Sequence, residues 1–559
     1  DELDLKVFPA NNDRITRQLA TPINVIVGNP PYSVGQGSAN DLNANVKYPH
    51  LDARIGETYA AHSTAQLKNS LYDSYLRAFR WATDRIGDTG IVAFVSNNGW
   101  IDGNTADGIR LSLASEFSRI YIFDLRGNSR TAGALAKREA GNVFNVRVGI
   151  QVFVGVKDPS QVSPCTIRYR NIGEYLTRED KLRIIADSDL NTIDWTPITP
   201  NTHGDWINQR DDAFSTWPAI GEKKPGPNSK TIFKSFSAGI KTSRDAWCYN
   251  FSKQKLRANV ERTAQFYNDE VDRITAMPEP KPPVEEAITV DSTQFTWDRI
   301  NKRQVMQGRK IEVRDDGFRL SNYRPFTQQH CYFDPQQQLN NTTYRMPSTF
   351  PTPHHANIGF LVLAPRDGTS FTALATTSLP DLSFFTYTAQ FFPRWTYEKI
   401  DEASGTFEFS DSAEVDEFGY RRVDNISDEI LAIYREAVGP HVGKDEIFYY
   451  VYGQLHDPHY RIKYAADLKK MLPHIPTPES RERFETVTQM GRKLADLHTN
   501  YETVDPYPLS VEVKKSASAE NRETWRVSKM KWARVRDDET GKLVNDPTTI
   551  IYNSKVTIS

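Results

Sequence analysis

Apolar positions between Val25 and Val156 alternate between continuous runs and helical spacing. Val25-Ile26-Val27 reads as a buried strand, and Gly90 opens a second, Ile91 to Ser96. Ile120 to Phe123 and Gly149 to Val156 give two more. Between them, Tyr72, Tyr75, Leu76, Phe79, Ala82 and Ile86 share one face of a helix predicted over Leu71 to Ile86, because residues three and four apart lie one above the other. A second helix is predicted over Ala106 to Phe117. Strands separated by helices of this length predict an α/β fold with a parallel, doubly wound sheet. After Lys157 the alternation gives way to short mixed segments, many aromatics and a proline-rich joint at Pro278 to Pro283. A helix near Ser427 to Ala437, the apolar stretch Ile447 to Leu455 and a terminal hairpin turning at Asp538 to Gly541 complete the pattern.

At 559 residues the chain is too long for one hydrophobic core, so several domains are expected. Its 38% hydrophobic and 25% charged content is ordinary for a globular protein, and no apolar run approaches the ~18 residues of a membrane span. Cys165, Cys248 and Cys331 stand far apart, which predicts neither a disulfide framework nor a zinc site and fits a reducing cytoplasm. The net charge of −2 announces no polyanionic partner, but ten Lys/Arg against three acids crowd Ile220 to Arg262, and eight against three crowd Arg299 to Arg324. Each cluster reads either as a footprint for phosphates or as a solvated face.

The candidate chemistry sits in Asn29-Pro30-Pro31-Tyr32, directly after the first strand. Ligands of open α/β sheets bind beyond the carboxyl ends of strands, and prolines stiffen a loop there by fixing φ. The Asn29 side-chain oxygen and the Pro30 carbonyl can together accept both hydrogens of a planar amino group, while Tyr32 offers a face for stacking a base. Such acceptors suit methylation of an exocyclic amine, because they stabilise the positive charge that develops on the nitrogen. A base inside a duplex must first be flipped out, at a cost of a few kcal/mol. The bland alternative is a stiff proline turn at a strand end.

The first 156 residues resemble the later half of a γ-class adenine-N6 DNA methyltransferase domain, with NPPY as its motif IV. Longer stretches resemble type ISP single-polypeptide restriction-modification enzymes: NPPYS, YPHLDARIGETYAAHS, LYDSYLRAFRWATDRIG, AFVSNNGWIDG, DLRGNSRTAG, GDWINQR, SRDAWCYN, YRPFTQQHCYFD, FFPRWTYE and IFYYVYGQLHDPHYRIKYAADLKKMLPHIP. The resemblance implies a partial Rossmann-like methyltransferase domain over residues 1–157, a connector over 158–230, and an α+β target recognition domain over 231–559 that reads an asymmetric site in double-stranded DNA. It implies S-adenosylmethionine as methyl donor, a bacterial cytoplasm, and a monomeric single polypeptide. Asn29, Pro30 and Tyr32 are then target-adenine contacts, with Pro31 completing the loop. Asp13 lies where the family's motif III acid meets the cofactor, although a solvated turn reads equally well. Phe144 lies where the motif VIII aromatic approaches the flipped base, with core packing as the alternative.

Other family parts are not found in this sequence. The glycine-rich cofactor loop, motif I, is expected well upstream of Asn29, so the chain is expected to begin inside the methyltransferase domain and to stop before the family's end. Gly35-Gln36-Gly37 follows NPPY and no strand, and reads as a loop near DNA. A Walker motif is lacking, which assigns the ATP- and Mg2+-dependent motor and nuclease to sequence outside this chain. Asp505 with Glu512-Val513-Lys514 only mimics a nuclease core, and His456-Asp457-Pro458-His459 reads as surface histidines, so no metal site is expected. Candidate DNA contacts are Lys241, Ser243 and Arg244 after the small-residue loop Ser237 to Ile240, Arg366 in a polar loop, and Arg394 beside Trp395. Two alternatives stay open: a free-standing phage-defence or type IIG-like adenine methyltransferase, and a DNA-specificity module without catalysis.

Overall fold

The computed structural model describes residues 9–31, 48–65, 68–131, 133–161, 164–223, 226, 229–334, 339, 344–365, 369–400, 415–527, 529–537, 541 and 543–559. The chain divides into two compact units, Asp1–Thr499 and Asn500–Ser559. The first unit opens with helix α1 (Pro9–Ala20) and a six-stranded sheet. Its strands are β1 (Val25–Gly28), β2 (Gly90–Asn97), β3 (Arg119–Arg126), β4 (Ile150–Lys157), β5 (Thr166–Asn171) and β6 (Thr196–Ile198). They lie side by side in the order β1-β2-β4-β3-β5-β6.

The mixed α/β character is as expected, but the sheet is not uniformly parallel. β1 pairs with β2 in parallel and β3 with β5 likewise, whereas β4 runs antiparallel between β2 and β3, and β6 antiparallel to β5. The loop from β3 to β4 explains the reversal. The Asn142 side-chain amide donates to the Gly127 and Val148 carbonyls at 2.9 and 2.7 Å, which ties the two ends of the loop together and starts β4 at the edge where β3 stops. β5 and β6 fall in the stretch expected to be connector and extend the sheet.

The strand expected to be buried, β1, is not. Val25 and Val27 are 56% and 76% exposed, and Ile26 packs against the core. Among the described residues, β1 is hydrogen-bonded to β2 alone.

Helix α2 (Ser74–Arg85) follows the predicted spacing and buries Tyr75, Leu76, Phe79 and Ala82. Phe79 stands edge-on to Phe94 and Phe153, with ring centroids 5.2 and 5.0 Å apart, so α2 covers the β2–β4 face. A fully buried Phe contributes about 1.5–3 kcal/mol by area alone. The second predicted helix is α3 (Asp107–Glu116).

The rest of the unit carries helix α4 (Lys253–Thr275) and two antiparallel-rich sheets. One is built on β7 (Phe318–Arg324) and β8 (Thr327–Tyr332). The other is built on β9 (Gly359–Leu363), β10 (Thr372–Thr376) and β11 (Gln390–Pro393). A ribbon, β12 (Trp395–Lys399) with β13 (Tyr420–Asp424), follows. Helices α5 (Asp428–Val438), α6 (Lys444–Gln454), α7 (Ala465–Lys470) and α8 (Arg481–Thr499) close the unit. Ser427 caps α5 by accepting from the Ile430 amide, and Phe448 and Tyr452 of α6 lie against Phe360 of β9. No helix among the described residues is long and apolar enough to cross a membrane.

The second unit is one antiparallel sheet of β14 (Val511–Val513), β15 (Lys531–Arg536), β16 (Leu543–Ile551) and β17 (Val556–Ile558), in the order β14-β17-β16-β15. Arg536 pairs with Leu543, as a hairpin between these strands requires.

Candidate functional site

Parallel pairing puts the carboxyl ends of β1 and β2 on one edge of the sheet, with Gly28 opposite Phe94. Asn29-Pro30-Pro31 therefore steps off β1 at the edge where β2 ends in Asn97. Pro30 is buried while Asn29 and Pro31 are exposed, so the first proline anchors the loop and the asparagine faces outward. Tyr32 lies outside the described residues, as does Gly35-Gln36-Gly37.

Along the same edge lies a cavity of about 760 Å3, walled by Asn97, Asn98, Asp124, Arg126, Asn128 and Tyr169. Asp124 organises its floor. One carboxylate oxygen accepts from the Asn98 side-chain amide at 2.9 Å and the Arg126 backbone amide at 2.9 Å, and the other accepts from the Tyr169 hydroxyl at 2.9 Å. Burial, with the Asp124 carboxylate beside it, pushes the Tyr169 phenol above its usual range, so it remains a donor. Asn98 is held from behind, since its backbone amide donates to the Gly149 carbonyl at 3.0 Å. A Cβ on Gly149 would come within 2.4 Å of the Asn98 side chain, so that approach requires glycine.

Arg126 reaches the wall through an irregular backbone. The β3/β4 register slips between Asp124 and Arg126, and Arg126 adopts φ +55°, a conformation that costs a non-glycine residue about 1 kcal/mol. Its guanidinium meets Glu139 at 2.8 Å, and the second Glu139 oxygen accepts the Gly127 and Asn128 amides at 2.9 and 3.0 Å. At the rim, Asp102 accepts from Lys469 of α7 at 2.6 Å and from Asn208 at 2.9 Å. The cavity thus offers fixed amides, a guanidinium and a carboxylate network, the chemistry for holding a flat polar group. None of the described residues named from the sequence as candidate site residues lines it. The signal was present in Ser96-Asn97-Asn98 and Asp124 to Asn128, polar runs at the carboxyl ends of two strands.

Phe144 is 48% exposed, on the β3–β4 loop, so it is a surface aromatic and not a core residue. The loop is rigid there, because Asn142 accepts from the Phe144 and Val146 amides at 3.0 and 3.2 Å. Asp13 is exposed on α1 and not in a turn. No group of three or more potential metal ligands occurs among the described residues. His456 is not the surface residue expected: its ring is largely buried and its titration falls to about 3, through burial and the neighbouring Arg461.

The basic candidates separate sharply. Lys241 and Ser243 are exposed, and Ser243 holds φ +56°. Arg244 is 3% exposed. Its guanidinium donates to the Thr296 carbonyl and Asp298 at 2.9 Å each, to Asn301 at 2.5 Å and to the Leu339 carbonyl. Arg394 is 4% exposed, bonded to Asp424 at 2.5 Å and Asp445 at 2.6 Å and stacked 3.7 Å from the Trp395 ring centroid. Of the three arginines expected to reach DNA, these two are internal braces, buried and bonded to the protein's own carboxylates. Arg366 lies outside the described residues. Gly239 approaches the protein's own backbone, since a Cβ there would meet Asp381 and Pro380 at 2.5 Å.

A buried charge cluster joins the sheet to the later helices. Asp205 is fully buried and meets Arg210 at 2.8 Å, Lys470 of α7 at 3.0 Å and Arg110 of α3 at 3.5 Å. These cations hold the Asp205 carboxyl well below its usual range against the opposing effect of burial.

The Type ISP C-terminal specificity domain matches residues 231–559. Among solved structures, a nuclease-deletion mutant of the Type ISP restriction-modification enzyme LlaGI, in complex with a DNA substrate mimic, is 34% identical at a TM-score of 0.74, over 99% of this chain and 47% of that one. The ATP-dependent Type ISP restriction-modification enzyme LlaBIII, bound to DNA, is 31% identical at a TM-score of 0.75, over 99% of this chain and 33% of that one. A DrdV–DNA complex is 30% identical at a TM-score of 0.74, over 98% and 51%. The chain spans about half the length of these relatives or less, and a comparison with curated proteins gives no match. Through its specificity domain and its likeness along the whole chain, this protein belongs to the Type ISP restriction-modification family.

Proposed function

We propose that this chain carries the target-amine side of a DNA adenine-N6 methyltransferase together with the domain that recognises an asymmetric site in double-stranded DNA. The observation that carries this is the position of Asn29-Pro30-Pro31, at the carboxyl end of β1 and on the same sheet edge as the polar cavity. There the Asn29 side-chain oxygen and the Pro30 carbonyl accept the hydrogens of a flipped adenine amine, and Tyr32 covers the ring. Two acceptors draw the nitrogen lone pair out of the ring and stabilise the charge that forms on methylation. Phe144, on its tethered loop, approaches the same edge as a second aromatic surface.

S-adenosylmethionine is the methyl donor that this chemistry requires. The described residues do not by themselves build a site for it: Asp13, the one candidate, stands exposed on α1. Residues other than these would hold the donor, and an ATP- and Mg2+-dependent motor and nuclease are further parts of the whole enzyme in this reading. In the whole enzyme, an unmethylated site would trigger translocation and cleavage, and methylation would protect host DNA. A monomeric enzyme in a bacterial cytoplasm fits these roles.

The test incubates the full-length protein with plasmid DNA and labelled S-adenosylmethionine and maps the modified bases. N6-methyladenine at one asymmetric sequence is expected. Asn29→Ala should abolish methylation and leave site binding largely intact; loss of binding as well would remove Asn29 from the chemistry. Site binding by the parent without any methylation would favour a specificity module alone, a reading that the match over residues 231–559 supports.

A further inference from the structure

The second compact unit holds a concentration of positive charge. A groove of about 370 Å3 is lined by Arg526, Lys529, Lys531 and Lys555, with Glu523 as its one carboxylate. Arg526 meets Glu523 at 3.7 Å, both largely exposed. Among the described residues, Lys529, Lys531 and Lys555 have no ion-pair partner. Arg244 and Arg394 of the first unit, by contrast, are each paired with carboxylates.

The groove is built and not a chance gathering of flexible chains. Its wall is the turn between β16 and β17, and Asn553 ties that turn together. The Asn553 amide nitrogen donates to the Thr524 and Arg526 carbonyls at 2.8 and 3.1 Å, and its oxygen accepts from the Lys555 and Val556 backbone amides at 2.7 and 2.9 Å. The Tyr552 hydroxyl donates to the Trp525 carbonyl at 3.2 Å. These bonds hold residues 524–526 against the turn, so the backbone that carries Arg526 and Lys555 is set before any ligand arrives. Lys531 begins β15, opposite Ile551. Arg534 and Arg536 of the same strand are turned to carbonyls of their own hairpin, Leu543 at 2.8 Å and Gly541 at 3.1 Å, and take no part in the groove.

We propose that this groove is a clamp for the phosphodiester backbone of DNA, separate from base reading and from the methylating edge. Four cations against one carboxylate repel one another until an anion is supplied. Lysine ammonium groups act as point charges that neutralise phosphates, and the one amide in the groove, Asn553, is spent on the fold, so little is left to read a base edge. The clamp gives affinity without sequence preference. That the polyanion is duplex DNA rests on the functional reading above.

The test measures binding of the full-length protein to two labelled duplexes, one with and one without the recognition site, over a series of salt concentrations. The variant R526Q/K529Q/K531Q/K555Q should lower the slope of log K against log salt by about 2–4, since each phosphate contact contributes about 0.9. Affinity in low salt should fall at least tenfold on both duplexes, with their ratio unchanged. The triple variant K529R/K531R/K555R should keep the parent slope. If the quadruple variant melts early, the double variant K529Q/K555Q, outside the strands, should lower the slope by about 1–2. An unchanged slope, a loss confined to the site-bearing duplex, or a loss seen only on phosphatidylserine vesicles would each overturn the clamp. A parent without site preference whose slope still falls in the variant would overturn the recognition role and leave the clamp standing.

Discussion

Replacing Asp205 by Asn tests the buried cluster that ties the six-stranded-sheet part of the first unit to helix α7. The substitution keeps shape and one acceptor but removes the fully buried carboxylate that faces Arg110, Arg210 and Lys470, at 3.5, 2.8 and 3.0 Å. Arg110 and Lys470 have side chains 1% exposed, so neither can recover its hydration by turning outward. Asp102 remains 3.4 Å from Lys470 through Oδ1, while its other oxygen accepts Lys469 and Asn208. Removing one member of such a cluster costs about 3–5 kcal/mol, far above the ~1 kcal/mol of an exposed pair. Trp206, 2% exposed and with its ring centroid 5.5 Å from that of Trp100, sits beside Asp205 in sequence and reports on the region by fluorescence. Urea unfolding followed at tryptophan should show the Asp205→Asn midpoint displaced by the equivalent of about 3 kcal/mol. Adding Lys470→Met should recover part of the loss, because it removes a cation left without its partner. A displacement under about 1 kcal/mol, or double-variant losses that simply add, would refute the assignment of this cluster as a structural tie.

Two further perturbations follow from buried ionisable groups. Asp467 is 1% exposed and burial raises its carboxyl to about 6; the folded chain therefore binds that proton more tightly than the unfolded one, and stability from this group grows as pH falls from 7 towards 4. Asp467→Asn should be the more stable form at pH 7 and lose that advantage by pH 4, by on the order of 2 kcal/mol; a Tm difference from the parent that stays constant with pH would contradict this. Arg244→Met should lower stability by about 3–5 kcal/mol, since it removes the buried guanidinium that donates to Asp298, Asn301 and three carbonyls. The salt dependence of DNA binding should not move, and a reduced slope would show Arg244 on the DNA after all.

Elements of the sheet half were legible because their signals are local: α2 lies almost where the spacing of Tyr75, Leu76, Phe79 and Ala82 puts it, and α3 within the stretch Ala106 to Phe117. Strand direction was not, because the reversal is closed by contacts between distant residues, among them Asn142 with Gly127 and Val148 and Ser129 with Arg147. The proline loop was legible through the fixed φ of its residues. The cavity beside it was missed because Asn97, Asp124 and Tyr169 come from three strands that meet only in the folded sheet. Arg244 and Arg394 misled for a different reason. A charged residue in a polar, aromatic stretch reads as surface, yet a guanidinium has five donors and is buried cheaply wherever carbonyls and carboxylates from distant segments converge on it.

The missing side chain at Gly149 also fixes the outline of the cavity floor. A Cβ there would come within 2.4 Å of the Asn98 side chain, so any other residue pushes aside the amide that donates to Asp124. The residue before one strand of the sheet thus acts as a mould for a polar group carried just after another, and Gly149→Ala would redraw the floor without altering a single charge.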